Sequence, residues 1–281
     1  MAMLDKRTNA WRDDLADMAL QGRVPAARFV TPWPAQVRIP VVPLQRAPRH
    51  DSMQVSQALF GETVKVFEEQ AGWAWVQLAE DSYVGYVPVE VLSRAIEDAT
   101  HRVAVPLTYA YPAPDLKSGP ALALSLNARL RVTETTGTYL RLAGGGYVFS
   151  AHVDPVDVHA ADYVAVAEKF LHVPYFWGGK SAHGLDCSGL VQLALQAAGK
   201  TCPRDSDMQE RDLGTRLESN SISGLRRGDL VFWDGHVGIM KDAETLLHAN
   251  GHHMLTVTEP VADAIARIAA AGKPVTSLKR V

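Results

Sequence analysis

The sequence has few cysteines, no long apolar run and no excess of charge of one sign. Only two cysteines occur among 281 residues, which argues against a fold stapled by disulfides. No segment approaches the roughly 18 to 20 apolar residues of a membrane-spanning helix. The charged amino terminus also lacks the apolar segment of a signal peptide, so we expect a cytoplasmic protein without membrane association.

The charge balance gives no reason to expect a polyanionic partner. The formal net charge is -3, and lysines and arginines do not form a run. Neither nucleic acid nor an anionic membrane surface is therefore an expected partner. A chain of this length suits about two or three modest domains. Hydrophobic residues make up 47% of the chain, so it should fold around a core.

Apolar residues recur at helical spacing near the amino terminus. They are Trp11, Leu15, Met18 and Ala19. This spacing predicts that residues 1–33 form a helical extension. Prolines then hold the chain extended and mark the entry to the next domain.

Residues 34–95 have the pattern of a small β domain. Short alternating segments at residues 63–67, 72–78 and 83–88 predict strands of an all-β barrel. A weaker copy follows in residues 96–155, where segments 129–133, 137–142 and 147–149 repeat the same order. The strand order and the closing Tyr-Val-Gly-Tyr-Val-Pro segment resemble bacterial SH3-like domains. Two such barrels are therefore expected.

Residues 156–281 change to an α+β pattern. Helical spacing covers residues 161–171, 188–198 and 262–271, and strand-like segments lie at 229–233, 235–240, 246–249 and 254–258. Asp234-Gly235 and Asn250-Gly251 have the residue types of hairpin turns. We expect an antiparallel meander packed against the second of these helices.

Cys187 stands at the start of that second helix, after a glycine-rich approach. Unpaired backbone N–H groups and the helix dipole favour a thiolate at this position. This predicts a nucleophilic cysteine. Cys202 precedes Pro203 in a predicted loop without an activating neighbour, so we expect it to be a small buried residue.

A cysteine nucleophile needs a general base and a third polar group that orients the base. Among ten histidines, His236 begins a predicted strand in which Gly238 leaves room for close approach. His248, on the following strand, is the expected third group. For both histidines a purely structural role is the alternative.

A metal site at the cluster of His248, His252 and His253 is disfavoured. Asn250-Gly251 should turn the chain between them, and no paired cysteines complete a zinc shell. We expect neither a metal nor a cofactor.

Four motifs together resemble the NlpC-type family of cell-wall cysteine peptidases. They are Pro174-Tyr-Phe-Trp-Gly-Gly-Lys, Leu185-Asp-Cys-Ser-Gly-Leu-Val, Arg227-Gly-Asp-Leu-Val-Phe-Trp and Gly235-His-Val-Gly-Ile. The resemblance implies a papain-like fold and hydrolysis of amide bonds in murein peptides after D-γ-glutamyl. It also implies that Cys187 is the nucleophile, His236 the base and His248 the third member.

The same resemblance implies further residues that contact substrate. Tyr175 is expected across the thiol, where it helps to stabilise the oxyanion, with simple packing as the alternative. Trp177 either walls the pocket or fills the core. Asp186 and Ser188 flank the nucleophile, and the resemblance favours substrate contact for both, whereas capping of the helix is the structural alternative.

The whole chain looks still closer to one branch of the family, in which two SH3-like domains precede the peptidase and murein peptides are recycled inside the cell. The resemblance implies that the first barrel covers the active site and admits only a free amino terminus, commonly L-Ala-γ-D-Glu joined to a diamino acid. Asp205 and Ser206 match the position that binds the amine. Glu62 and Tyr83 are the candidates from the first barrel, and for Glu62 a solvated strand end is the alternative.

Two other functions stay open from the sequence. Small β barrels also occur in non-catalytic proteins that bind peptides or cell-wall polymers. An acyltransferase on the same fold would share the thioester intermediate with a peptidase.

Overall fold

The chain folds into two compact units. The computed structural model describes residues 4–218 and 222–281, and the chain divides into a first unit, Met1–Asp157, and a second unit, Val158–Val281. The first three residues of the predicted extension lie outside the described residues. Each unit has hydrophobic clusters of its own.

The amino-terminal extension is not the helix that its sequence spacing predicts. Residues 4–33, as far as the structure describes them, contain no α-helix. Strand β1, Leu15–Asp17, pairs in parallel with β2, Arg28–Val30. A 3₁₀ turn, Met18–Leu20, follows β1, and the Asp17 carboxylate accepts a hydrogen bond from the backbone N–H of Ala19. The predicted helix is therefore wrong.

The apolar side chains of this extension pack into two different clusters. One cluster contains Ala10, Leu15, Phe67 and Trp75. The other contains Trp11, Ala16, Leu20 and Val24. A helix would collect these side chains on one face, whereas the extended chain buries them on both sides. Tertiary packing thus overrides the helical spacing.

Seven strands of the first unit form one antiparallel sheet. They are β3 Trp33–Val37, β4 Val41–Gln45, β5 Gln54–Leu59, β6 Thr63–Gln70, β7 Trp73–Leu78, β8 Val84–Pro88 and β9 Leu92–Ser93. Their order across the sheet is β5-β4-β8-β7-β6-β3-β9. Val64 and Val66 are buried while Lys65 is exposed, so the alternation predicted for residues 63–67 is confirmed. The two other predicted strands of this domain are confirmed as β7 and β8.

The remaining strands of the first unit form two smaller sheets. They are β10 His101–Val103, β11 Leu107–Tyr111, β12 Leu122–Ser125, β13 Arg129–Leu130, β14 Val132–Thr136, β15 Tyr139–Leu142, β16 Tyr147–Phe149 and β17 Val153–Pro155. The strand orders are β13-β10-β17 and β12-β11-β16-β15-β14. Strands β13 to β16 occupy the segments that repeat the first β pattern in the sequence. Their buried residues include Leu140 and Val148.

The second unit mixes a few helices with several short and long strands. Its helices are α1 Tyr163–Glu168, α2 Cys187–Ala197, α3 Ser206–Asp212 and α4 Val261–Ala270. Its strands are β18 Lys180–Ser181, β19 Gly184–Leu185, β20 Thr215–Arg216, β21 Asp229–Trp233, β22 His236–Met240, β23 Thr245–Asn250, β24 Leu255–Pro260 and β25 Val275–Arg280. The main antiparallel sheet has the order β20-β25-β21-β22-β23-β24.

The predicted meander and the predicted helices of this unit are confirmed. Helix α2 packs against β22 and β23, which positions the start of the helix beside the sheet. Helix α3 and strand β25 were not predicted. Helix α3 has seven residues and buries Met208 and Gln209, which is too short a stretch to show helical periodicity. Among the described residues, no helix combines the length and the apolar character needed to cross a membrane.

Candidate active site

Helix α2 begins at Cys187 because Asp186 caps it. The backbone of Asp186 is extended, and its Oδ1 accepts a hydrogen bond from the N–H of Gly189 at 2.7 Å. The helix stops before Gly199, whose φ of +73° lies in the left-handed region that favours glycine. Cys187, which is 7% exposed, is therefore held in the first turn of a buried helix.

A close backbone contact brings the glycine-rich loop against α2. A Cβ atom at Gly189 would lie 2.1 Å from the carbonyl oxygen of Gly179. The N–H of Gly178 donates to Asp186 Oδ2 at 2.9 Å, and the N–H of Asp186 donates to Gly179 O. Glycine at position 189 thus permits the loop and the helix to meet beside the thiol.

Arg204 completes the support of α2, and the sequence analysis missed it. Arg204 is 1% exposed and forms a two-pronged ion pair with Asp186, with Nη2 to Oδ2 at 2.6 Å. It also donates to the Ser188 hydroxyl at 3.0 Å, and Ser188 donates to Asp186 Oδ1 at 3.3 Å. Both Asp186 oxygens and the Ser188 hydroxyl therefore make contacts within the protein. These contacts support the capping role of Asp186 over substrate contact.

The surroundings of Cys187 favour the protonated thiol over the thiolate. Burial, and to a smaller extent the Asp186 carboxylate, raise the pKa of Cys187 to about 12. The backbone N–H groups of Val237 and Ser188, together with the Arg204 guanidinium, act in the opposite direction. Burial raises the pKa of the thiol more than the start of the helix lowers it. This environment therefore does not favour the thiolate that the sequence predicts. The Cys187 thiol must therefore lose its proton as the sulfur attacks a substrate.

Two hairpins place His236 and His248 on one face of the sheet. Met240 of β22 lies opposite Leu246 of β23. Alternation along each strand then puts both histidines on the face of this pair, with Gly238 between His236 and Met240. A Cβ atom at Gly238 would lie 2.7 Å from the Leu246 side chain. Glycine at position 238 therefore leaves room for the Leu246 side chain on the face that carries the two histidines.

The two rings are joined directly. His236 Nε2 lies 2.9 Å from His248 Nδ1. Burial, with smaller contributions from the neighbouring His248 and the Arg267 guanidinium, lowers the pKa of His236 to about 3. Burial likewise lowers the pKa of His248 to about 4, although Glu259 opposes the shift. Both rings are therefore neutral near pH 7, as a general base must be before it accepts a proton.

Tyr175 and Trp177 lie on the segment that leads to Cys187. Tyr175 forms a parallel bridge with Leu185, and its N–H donates to Met254 O at 2.9 Å. Burial raises the pKa of the Tyr175 hydroxyl, and the nearby Cys187 and Asp186 raise it further, so the group stays protonated. Trp177 is 60% exposed, so it does not fill the core.

The residues expected to bind the substrate amine lie in both units. Asp205 is the residue before α3, and Ser206 is the first residue of that helix; both are half-buried. In the first unit, Glu62 is buried and lines a cavity of about 360 Å³ together with Glu80 and Arg129. Tyr83 belongs to the hydrophobic cluster of the seven-stranded sheet. The roles of these residues stay predictions.

Cys202, His252 and His253 lie in other surroundings. Cys202 is buried, and its sulfur accepts a hydrogen bond from Gln209 Nε2 at 3.4 Å. His252 and His253 contact each other edge to face, and the His253 N–H donates to Asn250 Oδ1. Within residues 4–218 and 222–281, no three histidine, cysteine or acidic side chains come together as a metal-binding group.

Two family models match this chain. Residues 44–92 match the bacterial dipeptidyl-peptidase SH3 domain, and residues 172–267 match the NlpC/P60 family. The second match includes Cys187, His236 and His248. An SH3-like domain is thus present in the first unit.

Two curated relatives align with both units. The chain is 30% identical over 203 residues to the gamma-D-glutamyl-L-lysine dipeptidyl-peptidase of Bacillus cereus, an alignment that covers 63% of this chain and 59% of the relative. It is 27% identical over 240 residues to the protein of the same name from Bacillus subtilis, covering 75% of this chain and 78% of that protein.

A solved structure supports the fold. The crystal structure of an NlpC/P60 family protein from Bacillus cereus superposes with a TM-score of 0.73 and 21% sequence identity, and it covers 88% of this chain and 99% of that one. At this identity the likeness shows the fold alone. The papain-like fold expected for the second unit is confirmed.

Proposed function

Because residues 172–267 belong to the NlpC/P60 family of cysteine peptidases, we propose that this enzyme cuts the amide bond between the γ-carboxyl of D-glutamate and a diamino acid, L-lysine or meso-diaminopimelate. Its substrate is a short murein peptide with a free amino-terminal L-alanine. The names of the two Bacillus relatives support this substrate class.

One structural observation carries the proposal. Helix α2, which begins with Cys187, packs against β22, which begins with His236. His236 Nε2 is already bonded to His248, so Nδ1 is the nitrogen of His236 that is left for the thiol. This arrangement supports the proposal that Cys187 on α2 is the nucleophile, His236 on β22 the base and His248 on β23 the group that orients the base.

In the acylation step a proton moves from the thiol through His236 to the departing amine, and a C–S bond replaces the C–N bond. His236 Nδ1 takes the proton of Cys187 Sγ as the sulfur attacks the γ-carbonyl carbon of D-glutamate. The carbonyl electrons move to oxygen, which the protonated Tyr175 hydroxyl stabilises by donating a hydrogen bond. When the C–N bond breaks, the imidazolium of His236 gives its proton to the departing amine.

The deacylation step consumes one water molecule. His236 takes a proton from water as the water oxygen attacks the thioester carbon. The C–S bond then breaks, the L-Ala-γ-D-Glu acid is released, and Cys187 regains its proton from His236. The enzyme returns to its starting state with one amide bond hydrolysed.

Recognition of the free amine is the second part of the proposal. A buried ammonium group is best stabilised by a carboxylate and hydroxyl acceptors. Asp205 and Ser206 supply such groups beside α3, and Glu62 and Tyr83 are the corresponding candidates in the first unit. Two SH3-like barrels, residues 34–95 and 96–155, precede the peptidase in this proposal. Such selection suits the recycling of short murein peptides in the cytoplasm.

A non-catalytic peptide-binding protein is the first rival, and Cys187→Ala tests it. We expect the variant to bind L-Ala-γ-D-Glu-L-Lys but to release no lysine, whereas the wild type does both. Cys202→Ala is the matched control, and it should retain turnover because Cys202 packs against Gln209. Undiminished lysine release by Cys187→Ala would contradict the proposal.

An acyltransferase is the second rival. Mass spectrometry of the products, with and without an added amine, separates the two reactions. We expect the free L-Ala-γ-D-Glu acid to dominate in both mixtures. A dominant transfer product would contradict hydrolysis.

A further inference from the structure

A row of hydrogen bonds runs across three neighbouring strands of the second unit and ends on a helix. His236 of β22 contacts His248 of β23, and His248 Nε2 lies 2.7 Å from Oε1 of Glu259 on β24. Arg267 of α4 donates to both Glu259 oxygens at 2.6 Å. Glu259 and Arg267 had no place in the sequence analysis.

The strand register explains why these side chains meet. Leu246 pairs with Glu259, and His248 pairs with Val257. Residues that pair across two strands share a face, so Glu259 lies on the same face as His248, one diagonal step away. Helix α4 follows directly and packs against β24, which brings Arg267 back over Glu259. Two diagonal contacts across the strands and one contact from α4 thus link Arg267 to His236.

The carboxylate determines where each proton in this row resides. Partial burial opposes ionisation of Glu259, but the hydrogen bonds from Arg267 and His248 hold its pKa below the ordinary value. An ionised carboxylate only accepts hydrogen bonds, so His248 Nε2 must carry a proton. The neutral ring of His248 then has a bare Nδ1, which accepts a hydrogen bond from the N–H of His236 Nε2.

We infer that Glu259 is a positioning residue of this site, which acts through His248 to leave His236 Nδ1 unprotonated and able to take the proton of Cys187. This inference rests on the proposed cysteine mechanism. Arg267 holds the carboxylate in place and keeps it ionised. Without the carboxylate, His248 can carry its proton on Nδ1 and donate a hydrogen bond from it to His236 Nε2. His236 then carries its own proton on Nδ1, where it blocks transfer from the thiol.

The ion pair of Glu259 and Arg267 is largely shielded from solvent. Their side chains are 12% and 28% exposed, and the His248 side chain is 0% exposed. In such surroundings a fixed carboxylate strongly favours one proton arrangement over the other. When His236 becomes an imidazolium during the reaction, the same carboxylate stabilises its charge through His248.

The Glu259→Gln variant tests the inference, because glutamine keeps the shape but loses the charge. We would record ¹⁵N spectra of histidine-labelled protein near pH 7.5, with His236 assigned from the His236→Asn variant. The wild type should show His236 unprotonated at Nδ1. In Glu259→Gln a population protonated at Nδ1 should appear. A purely structural role for Glu259 would not move this signal.

Alkylation of Cys187 by iodoacetamide, located by peptide mass spectrometry, is the second readout and needs no substrate. We expect the rate to fall about 10- to 100-fold in Glu259→Gln, as for other groups that orient a ligand or base from behind. Arg267→Gln should shift the His236 tautomer and the alkylation rate in the same direction. This variant tests the inference if Glu259→Gln does not fold. Glu244→Gln, on an exposed turn of the same sheet, is the matched control and should change neither.

The outcomes separate this inference from the substrate proposal. A wild-type tautomer and an alkylation rate within about twofold in folded Glu259→Gln would overturn the inference. The predicted tautomer and alkylation shifts would support it even if the wild type failed to cut L-Ala-γ-D-Glu-L-Lys. That failure would contradict the proposed substrate and leave the role of Glu259 unaffected.

Discussion

Arg204 and Asp186 form a buried ion pair with two parallel hydrogen bonds, Nη2 to Oδ2 at 2.6 Å and Nη1 to Oδ1 at 2.9 Å. The same carboxylate caps α2 through Gly189 and holds the N–H of Gly178. A single buried charge therefore organises both the helix and the loop on either side of Cys187. Arg204, the partner of this carboxylate, lies well outside the sequence motifs that define the site.

Removal of Arg204 should destabilise the second unit strongly. In Arg204→Met the Asp186 carboxylate stays buried without its guanidinium, which typically costs about 3–5 kcal/mol of unfolding free energy. Urea unfolding followed by fluorescence measures the loss. Arg211→Met is the matched control, because Arg211 pairs with Asp212 while 63% exposed and should change stability by less than about 1 kcal/mol. Equal effects of the two substitutions would contradict this role of Arg204.

Gly189→Ala should destabilise the protein although it replaces glycine with alanine inside a helix. At an ordinary helical position the change stabilises by about 1 kcal/mol. Here the new methyl group would lie 2.1 Å from Gly179 O, so α2 and the loop must move apart. We expect lower stability and lower turnover. Gly144→Ala, where nothing lies within 4 Å of the added atom, should be nearly neutral. A stabilised Gly189→Ala variant would contradict the close contact.

Much of the site follows from local sequence, whereas its supporting charges do not. The helix at Cys187, the hairpin at Asp234-Gly235 and the adjacency of His236 to His248 all follow from short-range patterns. Arg204 and Glu259 were missed because a buried charge pair leaves no periodic signal, and its partner is fixed only by the tertiary fold. The predicted amino-terminal helix failed for a related reason, since Trp11 and Leu15 pack into two separate clusters and Met18 is exposed.

Stability should fall with acidity as the two active-site histidines take up protons. Their pKa values are lowered in the folded state, mainly by burial, so the unfolded chain binds protons first as pH drops below about 6.5. Lys273 and Arg267 also oppose a charge on His236, and Glu259 favours it. For each ring, the unfolding free energy should fall by roughly 1.4 kcal/mol per pH unit as the pH drops from about 6 to 4.5.

The His248→Asn variant isolates the contribution of one ring. Unfolding free energies measured from pH 7.5 to 4.5 should decline less steeply in this variant than in the wild type, because it lacks one proton-binding group. Above pH 7 both rings are neutral in either state, so the two curves should run parallel there. Identical slopes at acidic pH would show that His248 does not titrate with a lowered pKa.

Trp177 should affect turnover without affecting stability. Its side chain is 60% exposed, so truncation removes little core packing. We expect Trp177→Ala to lower kcat/KM by about 10-fold or more, through loss of an aromatic pocket wall, while unfolding free energy changes by less than about 1 kcal/mol. Leu116→Ala, at a residue 76% exposed in the first unit, is the control for both measurements. A large loss of stability with unchanged kcat/KM would favour the packing alternative.

Acetylation of the substrate's amino terminus should reveal the carboxylate that binds it. Loss of a charge-assisted contact of about 3 kcal/mol lowers kcat/KM by about 100-fold. Asp205→Asn should show this loss with the free amine and no further loss with the acetylated peptide. Asp207→Asn, on the exposed side of α3, should discriminate as the wild type does. If acetylation lowered kcat/KM as much in Asp205→Asn as in the wild type, the substrate amine would not be bound by Asp205.

Covalent catalysis by Cys187 is most directly tested by rapid-quench mass spectrometry of the enzyme mixed with L-Ala-γ-D-Glu-L-Lys. We predict a transient L-Ala-γ-D-Glu acyl group on the peptide that contains Cys187, formed as lysine is released and lost as the free acid appears. Release of lysine at the same rate by Cys187→Ala, with no acyl group on the protein at any time, would contradict this mechanism.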